Sequence, residues 1–222
     1  RKALADATGI PMVVHVCQQA AAASSIDRVL VAADGEEIKS AVQRHGYECV
    51  LTDPEHPNGT SRINEAVQNI DCEIVVNVQG DEPELDPTDI DRAVACLREH
   101  DECSVATLAT PFESGQDASD PNLVKVQCDE HGRAIGFSRS MPPTGDAFRH
   151  IGLYVYRRAF LPVYVTLPPT IEEEQERLEQ LRILGHGHRI GITIVPMGRS
   201  GIDTPEQYEA FVERWRSSHP ES

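Results

Sequence analysis

The 222-residue chain is short of positive charge: Lys and Arg number 20 against 36 Asp and Glu, a net charge of −16. That balance argues against a general nucleic-acid binder, which needs a basic surface. It leaves room for a small anionic ligand, because a local site on an acidic protein can be positive or metal-neutralised. No apolar run approaches the ~18 residues of a membrane span, and no signal-peptide pattern opens the chain. The six cysteines, at 17, 49, 72, 96, 103 and 128, form no CxxC pair, and most sit inside apolar runs. Scattered reduced core thiols, a cytoplasmic location and no structural zinc are therefore expected. There is no internal repeat, no low-complexity linker and no initiator Met; the chain starts at Arg1–Lys2 and reaches a helical pattern within about ten residues. Hydrophobic residues make up 40%, enough for a sizeable core, and the length predicts one large domain or one domain carrying a small lobe.

What is present is an alternation of two hydrophobic periods. Met12, Val13, Val16, Cys17 and Ala20 mark a helix face, and Arg28 to Ala33 is a short, mostly apolar run suited to a buried strand. Ile38, Ala41, Val42 and His45 fall at i, i+3, i+4, i+7, and Glu48 to Thr52 reads as strand. Ile63, Ala66, Val67 and Ile70 repeat the helical spacing before the strand Glu73 to Val78. Pro87 opens a helix carrying Ile90, Val94 and Leu97, and Ser104 to Thr110 returns to strand. Such alternation predicts a parallel sheet with helices on both faces, with ligands beyond the carboxyl ends of the strands.

From about Asn122 the texture changes. Leu123 to Cys128 and Ile151 to Tyr156 read as strands, and Ser140 to Gly145 as a turn-rich loop. Glu173 to Leu184 reads as one charged helix with Leu178, Leu181 and Leu184 on a single face, and Ile190, Ile192 and Ile194 alternate as a strand. Asp203-Thr-Pro-Glu206 starts a last helix with the bulky face Tyr208, Phe211, Val212 and Trp215; Asp203 is its expected cap. Residues 122–187 are expected to form a strand-rich lid or dimerisation lobe, with 1–121 and 188–222 as the sheet core.

Five segments could carry chemistry. In Val76-Asn-Val-Gln-Gly-Asp-Glu-Pro83 a strand ends in Gln79, then Gly80, then acids. Asp81 at a strand's carboxyl end suits Mg²⁺, which takes hard oxygen ligands and one or two carboxylates plus phosphates; the same segment also reads as an ordinary turn with solvated acids. In His56-Pro-Asn-Gly-Thr-Ser-Arg62 a Gly-containing loop runs into a helix whose amino-terminus favours anions. Thr60 there is expected to be the cap, and Arg62 adds a fork suited to phosphate or a base edge. His150 and Tyr154 share one strand face with Gly152, which leaves room above it; this is a pocket wall or merely an exposed strand face. Glu179 and Gln180 lie on a helix flank, which is normally just solvated. Asp203, at a loop-to-helix junction, is either a cap or a second metal ligand.

Together these segments closely resemble the 3-deoxy-manno-octulosonate cytidylyltransferase (CMP-Kdo synthetase) family, in the same order over essentially the whole chain. The matching segments are Pro11 to His15, Val31 to Asp34, His56 to Arg62, Val76 to Pro83, Phe137-Ser-Arg139, Arg149 to Tyr154, Leu178-Glu-Gln-Leu-Arg182 and Gly201 to Pro205. The resemblance implies an α/β, Rossmann-like, three-layer nucleotidyltransferase (nucleotide-diphospho-sugar transferase) fold with a dimerising lobe. It implies CMP transfer from CTP to the eight-carbon acid sugar Kdo, releasing pyrophosphate, with Mg²⁺ on Asp81 and Asp203. Asn58, Gly59, Thr60 and Arg62 would line the CTP pocket, joined by Lys2 from the end of an amino-terminal phosphate loop. Gln79 would lie between nucleotide and sugar, and Arg139, His150, Tyr154, Glu179 and Gln180 around the sugar acid. A homodimer serving lipopolysaccharide synthesis is implied, with neither nucleic acid nor a membrane span involved.

Three departures accompany the match. The family's first strand and most of its basic loop have no counterpart here, so a longer protein containing both before Arg1 is expected. Asn58 stands where the family has Ser, and the loop between Arg139 and His150 looks shorter than is usual. An amino-substituted Kdo or another acid sugar therefore stays open as substrate, as does a non-catalytic nucleotide-binding homologue.

Overall fold

One strand organises the molecule. In the computed structural model, which describes residues 2–142, 144–199 and 201–219, β7 (Phe148–Arg157) pairs antiparallel with β3 (Ile74–Asn77), β4 (Cys103–Thr110) and β5 (Lys125–Cys128). β6 (Ala134–Ser138) extends the sheet beyond β5, and β8 (Arg189–Ile194) runs parallel to β4 at the opposite side. β1 (Leu30–Ala33) and β2 (Glu48–Leu51) form a separate parallel pair. A cavity of about 850 Å³, lined by Val31, Ile38, Ile63, Val75 and Val76 among others, lies between β1 and β3.

The expected parallel sheet is thus mixed. The parallel pairs are β1 with β2 and β4 with β8, as alternating strands and helices require. In the stretch 122–187, β5 turns back into β6 through a short connection, which makes antiparallel neighbours, and β7 then runs antiparallel to β3, β4 and β5. Because β7 belongs to that stretch, residues 122–187 share the main sheet and its core with 1–121.

Helices cover both faces. Along β4, Val105 and Ala109 enter a core with Tyr164, Leu178 and Ile183. Ala106 and Leu108 enter another with Ile90, Val94 and Leu97 of α4 (Pro87–Glu99). This period-two division gives a three-layer α/β architecture. α4 starts as its sequence predicts, with Pro87 in the first turn and Asp86 accepting from the Thr88 N–H.

The charged run Glu173 to Leu184 is two helices, α6 (Ile171–Glu176) and α7 (Gln180–Gly185). Between them Arg177 turns left-handed, φ 54°. The break is held by a two-pronged pair: Arg182 Nε to Glu173 Oε2 at 2.7 Å and Nη2 to Oε1 at 2.6 Å. Two other elements escaped the sequence pattern: β6, and the short α5 (Leu161–Thr166), which packs on α3 (Gly59–Ala66).

Near the amino-terminus, α1 (Met12–Ala22) buries His15 against Phe211 and Trp215 of the last helix, α8 (Pro205–Ser218). The ring also bonds the Thr8 hydroxyl at 2.7 Å. Burial, with a smaller contribution from His219, lowers the His15 pKa to about 4. An imidazole whose folded pKa lies below its unfolded value stabilises the fold above the unfolded pKa. That stability is lost as pH falls through the folded one.

Two predictions follow from these features. Urea unfolding should show stability declining between about pH 6.5 and 4, by up to about 3 kcal/mol from this group, and His15→Gln should flatten that slope. Arg177→Gly should raise stability by about 1 kcal/mol, read from the same titrations at pH 7.5, because glycine carries no Cβ penalty at positive φ.

Candidate active site

The site is built on the carboxyl end of β3 and the junction leading into α8. β3 delivers Asn77, and the segment beyond it delivers Gln79, Asp81 and Glu82. The backbone N–H of Ile202 binds the Asp81 carbonyl at 2.8 Å, bringing the two segments together. Asp203 is not the helix cap. Thr204 is, in a capping box with Gln207, and Pro205 follows it in the first turn. The Asp203 carboxylate is thereby released to the site, where Lys2 Nζ lies 3.1 Å from its Oδ1 and 2.7 Å from Asp81 Oδ2. Partial burial works against the Lys2 ammonium, but its bonds to the two carboxylates outweigh this and raise its pKa.

This arrangement also tests the metal expectation. Two carboxylates converge on one cation position, which the ammonium fills. Among the described residues no group of three or more His, Cys, Asp or Glu could hold a metal. Two carboxylates match what Mg²⁺ takes from a protein when water and phosphate oxygens complete its shell. A cavity of about 540 Å³ opens beside them, lined by Lys2, Asp34, Gly35, Gln79 and Gly80 among others.

Glu82, beside Asp81, is a residue the sequence reading passed over. Its carboxylate lies in the space left by two glycines: a Cβ on Gly201 would stand 3.3 Å from Glu82 Oε1, and one on Gly152 3.8 Å. Burial, then the neighbouring Asp81, pushes its pKa up to about 7, opposed by Arg149.

The α3 end differs from expectation. Asn58, not Thr60, caps the helix, its side chain accepting from the Ser61 N–H at 2.8 Å. Thr60 is buried and donates to Glu179 Oε2 at 3.1 Å, while Tyr156 Oη lies 3.1 Å from its hydroxyl. The N–H groups of Gly59 and Thr60 also serve Glu179, whose pKa burial nonetheless raises. The anion at this helix amino-terminus is thus the chain's own carboxylate, placed there by the break between α6 and α7. Gln180 is buried beside it, and its Nε2 has no hydrogen-bond partner among the described residues. Gly59 faces the amides of Gln79 and Asn77, each about 4 Å from where its Cβ would be.

The two predicted arginines act as ties. Arg62 holds the loop after β2 through Thr52 Oγ1 (2.7 Å) and the Asp53 carbonyl (3.1 Å). Arg139 binds the Glu176 carbonyl at 2.8 Å and the Pro121 carbonyl at 3.1 Å. His150 and Tyr154 do share a face, ring centroids 5.4 Å apart, continued by Tyr156. Burial and then Arg149 lower the His150 pKa to about 3, and burial raises that of Tyr154, so both rings are neutral near pH 7.

A three-layer α/β fold with paired carboxylates past a strand end and a cavity beside them is the setting in which comparisons with known proteins place a nucleotidyltransferase. Residues 1–190 match the cytidylyltransferase family. Two curated relatives are both named 3-deoxy-manno-octulosonate cytidylyltransferase. The one from Geotalea uraniireducens (strain Rf4) is 41% identical, over 96% of this chain and 92% of its own length. The one from Rhodopseudomonas palustris (strain BisB5) is 44% identical, over 94% and 88%. The solved structure of a CMP:2-keto-3-deoxy-manno-octonic acid synthetase complexed with CTP superposes with a TM-score of 0.93. It is 33% identical, over 98% of this chain and 92% of that one. The chain belongs to the 3-deoxy-manno-octulosonate cytidylyltransferase family.

The role of Glu179 in holding α3 is testable apart from catalysis. Glu179→Ala should lower stability by about 1–3 kcal/mol in urea titrations, because it strands buried donors at Gly59 and Thr60.

Proposed function

We propose that the protein transfers CMP from CTP to 3-deoxy-D-manno-octulosonate, releasing pyrophosphate and serving lipopolysaccharide synthesis. The observation that carries the reading is the convergence of Asp81, Asp203 and Lys2 beside an open cavity, in a chain of this family. In the reaction a sugar hydroxyl attacks the α-phosphorus in line. Its oxygen forms the new P–O bond and its proton passes to solvent, while the bond to pyrophosphate breaks with its electron pair. Such transfer is governed by positioning and charge neutralisation.

Asp81 and Asp203 would hold Mg²⁺, which supplies charge neutralisation on the phosphates and a more acidic attacking hydroxyl. Lys2, whose ammonium bonds both carboxylates, would supply positive charge to the phosphates once Mg²⁺ is held there. Gln79 lies where nucleotide and sugar would meet, beside Gly59, whose missing side chain lets a ligand approach the backbone. The neutral His150 and Tyr154, with Gln180, offer donors and acceptors to sugar hydroxyls. Asn58, Glu179, Arg62 and Arg139 shape the pocket through the loops and helix ends they hold. A homodimer through the 122–187 stretch is supported by Ile135 and Ile171, 65% and 70% exposed there. A cytoplasmic location is supported by six free thiols. Among the described residues no helix is long and apolar enough to cross a membrane.

The test is pyrophosphate release by the full-length protein from CTP, Kdo and Mg²⁺, beside a panel of amino-substituted and other acid sugars. Turnover is expected with Kdo, and Asp81→Asn should lower kcat at least about 100-fold by removing charge stabilisation. CTP binding without turnover on any sugar would overturn the reading in favour of a nucleotide-binding homologue.

A further inference from the structure

The antiparallel pairing of β4 and β7 is broken at one point. Thr107 pairs with Tyr154 and the next residue, Leu108, pairs with Ile151, so β7 carries Gly152 and Leu153 as an unmatched bulge. A bulge leaves backbone groups without their ladder partners, and bulges concentrate beside active sites. Here Thr107 meets the need. Its fully buried hydroxyl lies 2.5 Å from the Leu153 carbonyl and 3.2 Å from that of Ile151. The same oxygen lies 2.9 Å from His150 Nε2.

The hydroxyl has one proton and three neighbours. Two of these are carbonyl oxygens, which only accept. Assigned to the nearer one, Leu153, the proton is unavailable to Nε2. The 2.9 Å contact to Nε2 is then a hydrogen bond only if Nε2 carries a proton and donates to the Thr107 lone pair. A neutral imidazole protonated at Nε2 is an acceptor at Nδ1. Among the described residues no hydrogen bond is made by His150 Nδ1; the ring meets Phe137 edge-on and Tyr154 at a tilt, at centroid distances of 5.2 and 5.4 Å.

We propose that Thr107 is a positioning residue that locks His150 in the Nε2–H tautomer, so that Nδ1 accepts a hydrogen bond from a hydroxyl of the acid sugar. The low pKa of His150 agrees with this, since a doubly protonated ring would offer no acceptor. The bulge links the parts. It bends β7 at Gly152, sets the carbonyls of Ile151 and Leu153 on Thr107, and so determines which ring nitrogen stays open. The assignment of Nδ1 to the sugar rests on the proposed function; the tautomer does not.

The experiment is ¹⁵N-histidine labelling of the full-length protein without substrate. Ring resonances are read from two-bond ¹H–¹⁵N correlations, with His150 assigned by its loss in His150→Gln. The expected pattern is a neutral ring protonated at Nε2; an Nδ1–H ring would overturn the proposal. Thr107→Val removes the acceptor and should release the ring into a mixture of tautomers. It should also raise KM for the sugar about tenfold, the loss of one well-placed hydrogen bond, while KM for CTP stays unchanged. Thr107→Ser, which keeps the hydroxyl, should restore both the Nε2–H pattern and the sugar KM. Should Thr107→Val fail to fold, the wild-type and Thr107→Ser spectra still decide the tautomer, and an Nδ1–H ring in either overturns it. An Nε2–H ring in the wild type with an unchanged sugar KM in folded Thr107→Val would leave the tautomer standing and overturn the sugar contact.

Discussion

Pairing along β7 constrains everything else in the large sheet, because this strand bonds three neighbours, β3, β4 and β5. Its odd-numbered residues Ile151, Leu153 and Val155 are committed to the core under α4. Its even-numbered residues Tyr154 and Tyr156 are thereby turned to the opposite core, Tyr156 reaching Thr60 of α3, with His150 against Phe137 on the same face. A strand whose alternation is fixed by burial on one face cannot slip in register without exposing that face. The site thus inherits its precision from a hydrophobic core on the opposite side of the sheet.

Charge is handled by the same economy of place. On a chain of net charge −16, three carboxylates crowd the end of β3 and the start of α8. They are tolerated because each has a distinct environment. Asp81 and Asp203 share the Lys2 ammonium, whereas Glu82 is desolvated between two glycines, where burial favours its neutral form. Glu179 answers a different need, placing a negative charge on the amino-terminus of α3, where the backbone field favours it. On an acidic chain these acids are thus committed to a lysine and to a helix end.

Most of the layering was legible in the sequence. The apolar faces around Ile90 and Phe211 mark real helices, and the short runs near Leu30, Ile74 and Val105 mark real strands, because burial on a fixed face imposes a period. The placing of three motif residues was legible too, since Gln79 and Asp81 follow the end of β3 and Gly59 opens α3. The α6–α7 break was not. No glycine or proline marks Arg177, and the left-handed turn there is held by Arg182 and Glu173, a pair meaningful only once both helices have packed. Asp203 and Thr60 misled as caps because a neighbour with equal capping ability, Thr204 or Asn58, took the role and freed them for other contacts.

Thr107 shows why the remaining parts were hidden, and what trace they left. A hydroxyl in the otherwise apolar run Cys103 to Thr110 reads as a tolerated β-branched residue, and its partners lie more than forty positions away on a strand whose bulge no local pattern announces. Yet a polar atom in a strand buried on both faces must find hydrogen-bond partners. The only groups able to need it there are main-chain carbonyls freed by irregular pairing, or another polar side chain. Asn77, buried within the apolar run of β3 beside Gly59 and Gln79, left the same trace. In a sheet covered by helices on both faces, the isolated polar residues of the central strands therefore point to the place where the ladder breaks and the cleft opens.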